Sequence, residues 1–386
     1  MIAHKWFTRS CTAGGRQQFN CHLNDMDNHQ ERALSGRGQH VIIGRPSHAS
    51  KDNVLKKQLR LWIGVAISLV GLWLALRGVE FEKLGAALAS ANYWWLIPAL
   101  VFHLLTIGTR SERWRVLLGA DKVDSVTAFL VMNLGYLISN VLPLRVGDPA
   151  RAVIIDQRCH VGIPRALSTV VVERVLDVLA VTFGLVLLIP FMQLPPDAMN
   201  WLRVFGVLGL SAILGIVLLL TQRALAERIL AAVLARLPRL SSDQWLLRWR
   251  NLMGGFDALG SARGALVVVG WTLATWITGV GVFWAIMRAF FPAMSLGESI
   301  VASTFLLSIE ALGMAVPATP GNWGVFETIG RVGLVIPFGL PAEQAVSYVL
   351  VTHFFEYLTL NIVGVIALMR YSLSLGEIGA KAETIS

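Results

Sequence analysis

Ser168-Thr-Val-Val-Val-Glu173-Arg174-Val-Leu-Asp177-Val-Leu-Ala-Val-Thr-Phe-Gly-Leu-Val-Leu-Leu-Ile-Pro190-Phe-Met192 decides what kind of molecule this is. Apart from three charged residues near its start the stretch is predominantly apolar, and as a helix it is long enough to cross a hydrocarbon layer roughly 30 Å thick. Glu173 and Asp177 stand at i and i+4, on one helix face, and Arg174 reaches Asp177 at i+3. Charge at such depth must be paired, and it usually faces a cavity or a polar partner. An ion pair that serves only assembly is the plainer alternative. Either reading asks for a partner such as Arg145 or Arg151.

Working outward, Leu61–Leu76, Trp94–Gly108, Val204–Thr221, Ala265–Met287 and Ala345–Met369 are runs of the same kind. They account for a chain of 386 residues that is 55% hydrophobic and only 15% charged, with mean hydropathy +0.62. Those values are too apolar for an ordinary soluble protein. In hydrocarbon the backbone must satisfy its own hydrogen bonds, and no ten-residue alternation suggests a β-barrel. The sequence therefore predicts an all-α polytopic membrane protein with about eight transmembrane or re-entrant helices.

The net charge of +9 does not point to nucleic acid, because the basic residues flank the apolar runs: Lys51 to Arg60, Arg110 to Lys122, Arg145 to Arg165 and Arg223 to Arg263. That distribution fixes orientation in a membrane and attracts anionic lipid. It predicts a bacterial-type cytoplasmic (inner) membrane location, multi-pass, with both termini in the cytoplasm. Residues 1–55 are polar and lack apolar periodicity, so they are expected to be a disordered tail; 56–372 form the membrane domain, 222–263 a basic cytoplasmic segment and 373–386 a short second tail. Cys11, Cys21 and Cys159 make neither a disulfide framework nor a zinc spacing.

Two breaks interrupt the apolar sequence. The first is Asn140-Val-Leu-Pro143-Leu-Arg145-Val-Gly147-Asp148-Pro149-Ala-Arg151, the second Pro317-Ala-Thr-Pro320-Gly321-Asn322-Trp323-Gly324-Val-Phe-Glu327. Pro143 ends the preceding helix, Gly147 frees the backbone, and Asp148-Pro149 resembles a helix start. If Val126–Leu142 crossed the membrane, Arg145, Arg151, Arg158 and Arg165 would lie outside, against the charge rule. A dip from the cytoplasm is the expectation, with 146–158 an interfacial helix. Ser299–Val316 and Val325–Phe338 flank the second break, as two spans or as a hairpin from the outside. Pro143-x-Arg145-x-Gly147 and Pro320-x-Asn322-x-Gly324 share a pattern, and paired interrupted helices near mid-membrane are a transporter signature.

Arg145 and Arg151 at a helix N-terminus suit an anion, most naturally a lipid phosphate, unless both merely touch headgroups. Asp148, Glu173, Arg174 and Asp177 would pair with them, and Arg110 and Arg113, at the end of the second span, would extend the site. Pro143 and Gly147 on one side, and Pro317, Pro320, Gly321, Gly324 and Glu327 on the other, are the expected gates. Glu310, His353 and Glu356 are read as proton-coupling groups. His353-x-x-Glu356 offers half a metal site with no third ligand, so neither metal nor cofactor is expected. No phosphate-binding Gly-x4-Gly-Lys-Ser/Thr loop, Gly-x-Ser-x-Gly elbow or dinucleotide fingerprint occurs.

At these residues the chain resembles the lysylphosphatidylglycerol synthase transmembrane (flippase-like) family, also called the UPF0104 membrane proteins. The resemblance rests on Arg110-x-x-Arg113-Trp114, Gly135-Tyr136, Asn140-x-x-Pro143-x-Arg145-x-Gly147-Asp148-x-x-Arg151, Glu173-Arg174-x-x-Asp177 and Pro320-Gly321-x-x-Gly324-x-x-Glu327. It covers about residues 55 to 372. Asp148 stands where the family more often has Glu, and Asn322 fills a glycine-rich position. The resemblance implies translocation of an anionic or lipid-linked amphiphile, with membrane lipids and a lipid-biosynthesis enzyme as partners. Lysyl transfer is not expected, since no soluble transferase domain follows before Ser386. The competing readings are group transfer on a lipid-linked donor and a non-catalytic scaffold for lipid synthesis.

Overall fold

The computed structural model describes residues 66–141, 146–192, 253–313 and 320–371, with isolated positions between 200 and 250. Pro143, Arg145, Pro317, both tails and most of 201–252 lie outside the described residues, as does the side chain of Pro320. The described elements are all helical: α1 (Ala66–Leu76), α2 (Phe81–Ser90), α3 (Leu96–Leu118), α4 (Ser125–Val141), α5 (Gly147–Cys159), α6 (Ile163–Leu188), α7 (Ala262–Phe290), α8 (Leu296–Gly313), α9 (Val325–Phe338) and α10 (Ala342–Tyr371). Four of these (α6 with its 3-10 extension, α7, α8 and α10) are long and apolar enough to cross a membrane. The pair α2 and α3, bent by 65°, makes a fifth if it is one span. Large apolar side chains such as Trp94, Leu266, Ile277 and Met369 stand exposed on the outer faces. In water such a surface would aggregate; against hydrocarbon it costs nothing. The chain is a multi-pass all-α membrane protein.

The second span differs from expectation in a way that matters for the site. The apolar run ends near Gly108, yet the helix continues without a breaker until Gly119, whose φ of 105° stops it. Arg110 and Arg113 therefore lie inside α3 rather than at its end. α3 runs along α7, joined by hydroxyls: Thr106 Oγ1 donates to Thr278 Oγ1 at 3.0 Å, and Thr275 Oγ1 to Thr109 Oγ1 at 3.1 Å. Small polar residues are how spans adhere where water provides no driving force.

The helices flanking each break pack against each other as an antiparallel pair. Gly147, opening α5, backs onto the Gly135 carbonyl in the middle of α4, so a Cβ on Gly147 would collide with that backbone. α5 packs against α4 and α6 rather than lying on the bundle surface: Arg151 through Ile155 are all buried, while Gln157 and Arg158 near its end are exposed. In the second hairpin Gly313 of α8 meets Ile329 of α9, and Gly333 of α9 meets Ile309. α5 and α9, with 13 and 14 residues, are each about 20 Å long, too short to cross alone.

Candidate functional site

Three arginines and three carboxylates from α3, α5 and α6 meet in one cluster, with Arg113, Arg151 and Glu173 buried and Arg174 half exposed. Arg151 Nη2 lies 2.6 Å from Glu173 Oε2 and 3.3 Å from Asp148 Oδ1. Arg113, 1% exposed, reaches Asp177 at 2.8 Å and Glu173 at 3.5 Å. Arg174 reaches Asp148 at 3.1 Å and Asp177 at 3.9 Å. The i, i+4 spacing of Glu173 and Asp177 presents both to α3, and Asp148 sits in the first turn of α5, where the helix dipole favours a carboxylate. Trp114 supports the group from below: the Arg151 guanidinium lies 4.9 Å above its ring, while its Nε1 donates to Thr169 Oγ1 at 3.0 Å. The expected set Arg113, Asp148, Arg151, Glu173, Arg174 and Asp177 is thus brought together. Its cations already have carboxylate partners.

Arg110 is placed differently. Among the described residues it makes no ion pair, and its contact is with the Tyr136 hydroxyl at 3.4 Å. It lines a cavity of about 130 Å³ together with His103, Tyr136, Trp276, Glu310 and Glu356. Several polar groups here are buried without a hydrogen-bond partner: both nitrogens of His103, Arg110 Nε, Trp276 Nε1 and both carboxylate oxygens of Glu310. His103 Nδ1 is 3.8 Å from Glu356 Oε1. Buried polar groups are nearly always satisfied, so a cavity lined by so many unsatisfied ones is a candidate polar binding site. His103 and Trp276 were not singled out from sequence, and Tyr136 entered only as part of the Gly135-Tyr136 motif. The signal for His103 was present, as an ionisable residue within the run Trp94–Gly108.

The second break is clasped. Gly321, Asn322 and Gly324 all have positive φ (72°, 55° and 87°), a backbone that glycine and asparagine tolerate. Glu327 Oε2 accepts from the Gly324 N–H at 2.6 Å, and its Oε1 lies 2.7 Å from His353 Nδ1. His353 Nε2 lies 2.8 Å from the Gly321 carbonyl. A carbonyl only accepts, so Nε2 carries a hydrogen, and a second proton must lie between Nδ1 and Oε1. Trp323 and Phe326 sandwich the imidazole, with centroids at 4.3 and 4.4 Å. Although His353 and Glu356 are one turn apart, they face different places: His353 the break, Glu356 the cavity. They do not converge as a metal site.

α1 is fastened to this break. Its Gly71 is in backbone contact with Gly324, and Thr328 Oγ1 donates to the Gly71 carbonyl at 2.7 Å. Arg331, also unforeseen, donates from Nη1 to the carbonyls of Leu74, Ala75 and Arg77 at 3.0, 2.9 and 2.8 Å. Those are the terminal carbonyls that a helix cannot satisfy itself.

Comparison with known proteins agrees with this architecture. The family model described as the lysylphosphatidylglycerol synthase TM region matches residues 61–364. A UPF0104 membrane protein of Methanocaldococcus jannaschii is 22% identical over 75% of this chain and 89% of its own. Another, of Methanothermobacter thermautotrophicus, is 23% identical over 83% of this chain and 97% of its own. A protein named glycosyltransferase AglD, of Haloferax volcanii, is 24% identical over 83% of this chain, which spans only 56% of that relative's length. No solved structure matches. With the model covering most of its length, the chain belongs to the lysylphosphatidylglycerol synthase transmembrane-region family.

Proposed function

We propose that this protein moves an anionic or lipid-linked amphiphile across the cytoplasmic membrane, with its headgroup passing through the cavity at Arg110. The observation that carries this reading is the cavity itself, whose lining joins an arginine without an ion pair to unsatisfied donors and acceptors at the centre of an apolar bundle. Arg110 and Tyr136 suit the phosphate, and Arg145 at the first break would pass it inward. Arg113, Arg151, Arg174 and their carboxylates hold α3, α5 and α6 in register. At about 130 Å³ the cavity is smaller than the roughly 300–1,000 Å³ of sites that enclose a drug-sized ligand, so passage requires widening. The breaks next to Gly147 and Gly324 are where the hairpins can give way. Between α1 and α9 an apolar groove of about 470 Å³, lined by Val70, Leu74 and Ile329 among others, suits an acyl chain.

The test is translocation of fluorescent phosphatidylglycerol in proteoliposomes. Wild type should exceed empty vesicles, and Arg110→Gln and Arg145→Ala should each fall toward them. Equal rates for all three would remove the arginines from the pathway. The relative named glycosyltransferase favours a second reading, group transfer on a lipid-linked donor. Product formation that depends on a divalent metal, with no translocation, would decide for it.

A further inference from the structure

We infer that the cavity is a proton-binding site in which Glu310 is the carrying carboxylate. Glu310 is 1% exposed, and neither of its oxygens has a hydrogen-bond partner. No protein group compensates a charge in that position, and in proteins such a carboxyl takes up a proton rather than remain an unpaired buried charge. The groups that face it do not supply the missing charge. Glu327 of α9 and Glu356 of α10 are both acidic and close enough for their charges to bear on it. Tyr348 of α10 is committed to the Phe283 carbonyl, at 3.0 Å. From α3 the cavity receives Arg110 and His103, and from α4 Tyr136. The charged residues of α6 that approach the bundle, Glu173, Arg174 and Asp177, are engaged with Arg113, Arg151 and Asp148. Arg110 can balance one of the two cavity carboxylates, and among the described residues the other is left needing one positive charge.

The same carboxyl is connected to the second break. A Cβ built on Gly330 would fall 2.9 Å from Glu310 Oε1, so the acid lies against the α9 backbone one turn beyond Glu327. Glu327 and His353 hold their own shared proton at 2.7 Å, and that pair closes the break on the Gly321 carbonyl. The cavity acid and the clasp that holds the break thus share one turn of α9. The use of that proton in transport rests on the translocation reading; its presence on Glu310 does not.

Infrared difference spectroscopy on the purified protein in phosphatidylglycerol nanodiscs separates the two. Wild type at neutral pH should show a protonated carboxyl band that shifts in D2O and disappears only on raising the pH. Glu310→Gln should lose that band, while Glu356→Gln keeps it. A wild-type spectrum with no such band, or a band that survives in Glu310→Gln, would overturn the assignment, and the wild-type titration decides even if a variant does not fold. In proteoliposomes, imposing a transmembrane pH gradient should change wild-type lipid translocation several-fold and leave Glu310→Gln unaffected. Translocation that ignores the gradient in both would sever the proton from transport while leaving the infrared result intact.

Discussion

Arg151 shows why single residues in this bundle do more than sequence spacing suggests. From the sequence it reads as a phosphate ligand, and in the structure its partners are Glu173 and Asp148, over the face of Trp114. Breaking such a buried pair from one side leaves an uncompensated charge and costs about 3–5 kcal/mol. Arg151→Ala should therefore lower the thermal unfolding midpoint in detergent markedly. Arg151→Met combined with Glu173→Leu should recover most of the loss, because the orphaned charge goes with its partner. Glu327→Gln is expected to act more locally: it keeps the cap on the Gly324 N–H but cannot hold the His353 proton, at about 1–3 kcal/mol. A shift in the His353 ring resonances that accompanies the destabilisation would mark it as the loss of that proton. The identities of Glu173, Asp177, Glu310 and Glu356 were legible because charge inside apolar sequence is conspicuous. Their partners were not, since pairing depends on which helix faces which.

At the scale of elements, the two hairpins turn on glycines that have no room for a side chain. Gly147 faces the Gly135 carbonyl, and a Cβ on Gly71 would lie 2.7 Å from the Gly324 carbonyl carbon. In each case the obstacle is backbone, which cannot rotate out of the way. Gly71→Ala should push α1 from α9 at a cost of about 1–3 kcal/mol, visible as weakened disulfide crosslinking between cysteines placed on the two helices. Gly85→Ala, inside α2 where nothing lies within 4 Å, is the contrasting control and should raise stability by about 0.5–1 kcal/mol without weakening the crosslink. The breaks themselves were readable from Pro143, Gly147, Pro320 and Gly324. What could not be read was the fate of the short helices after them. α5 has a polar, charged sequence that suggests an interface, but Arg151 finds a carboxylate on α6 and the first half of the helix is packed into the bundle. Likewise the apolar run in α3 stops near Gly108 while its helix does not, because hydropathy records burial and a helix ends only at a breaker.

For the whole molecule, alternation of basic and non-basic loops sets an orientation that can be checked directly. Alkaline phosphatase fused after Asn200 should be active, and fused after Arg370 inactive; the reverse pattern would invert the topology proposed from charge. The fold class was the most legible level, since it follows from run length alone, whereas the number of spans depends on bends such as the 65° one between α2 and α3 that composition does not encode. One contact has a mechanical meaning at this scale. Arg331 grips three carbonyls at the end of α1, and Thr328 grips a fourth. Separating α1 from α9 would leave the helix-end carbonyls held by Arg331 without a donor, at several kcal/mol for each group left unsatisfied in hydrocarbon. The first helix and the second hairpin are therefore tied together, and a displacement of α1 would carry the second break with it.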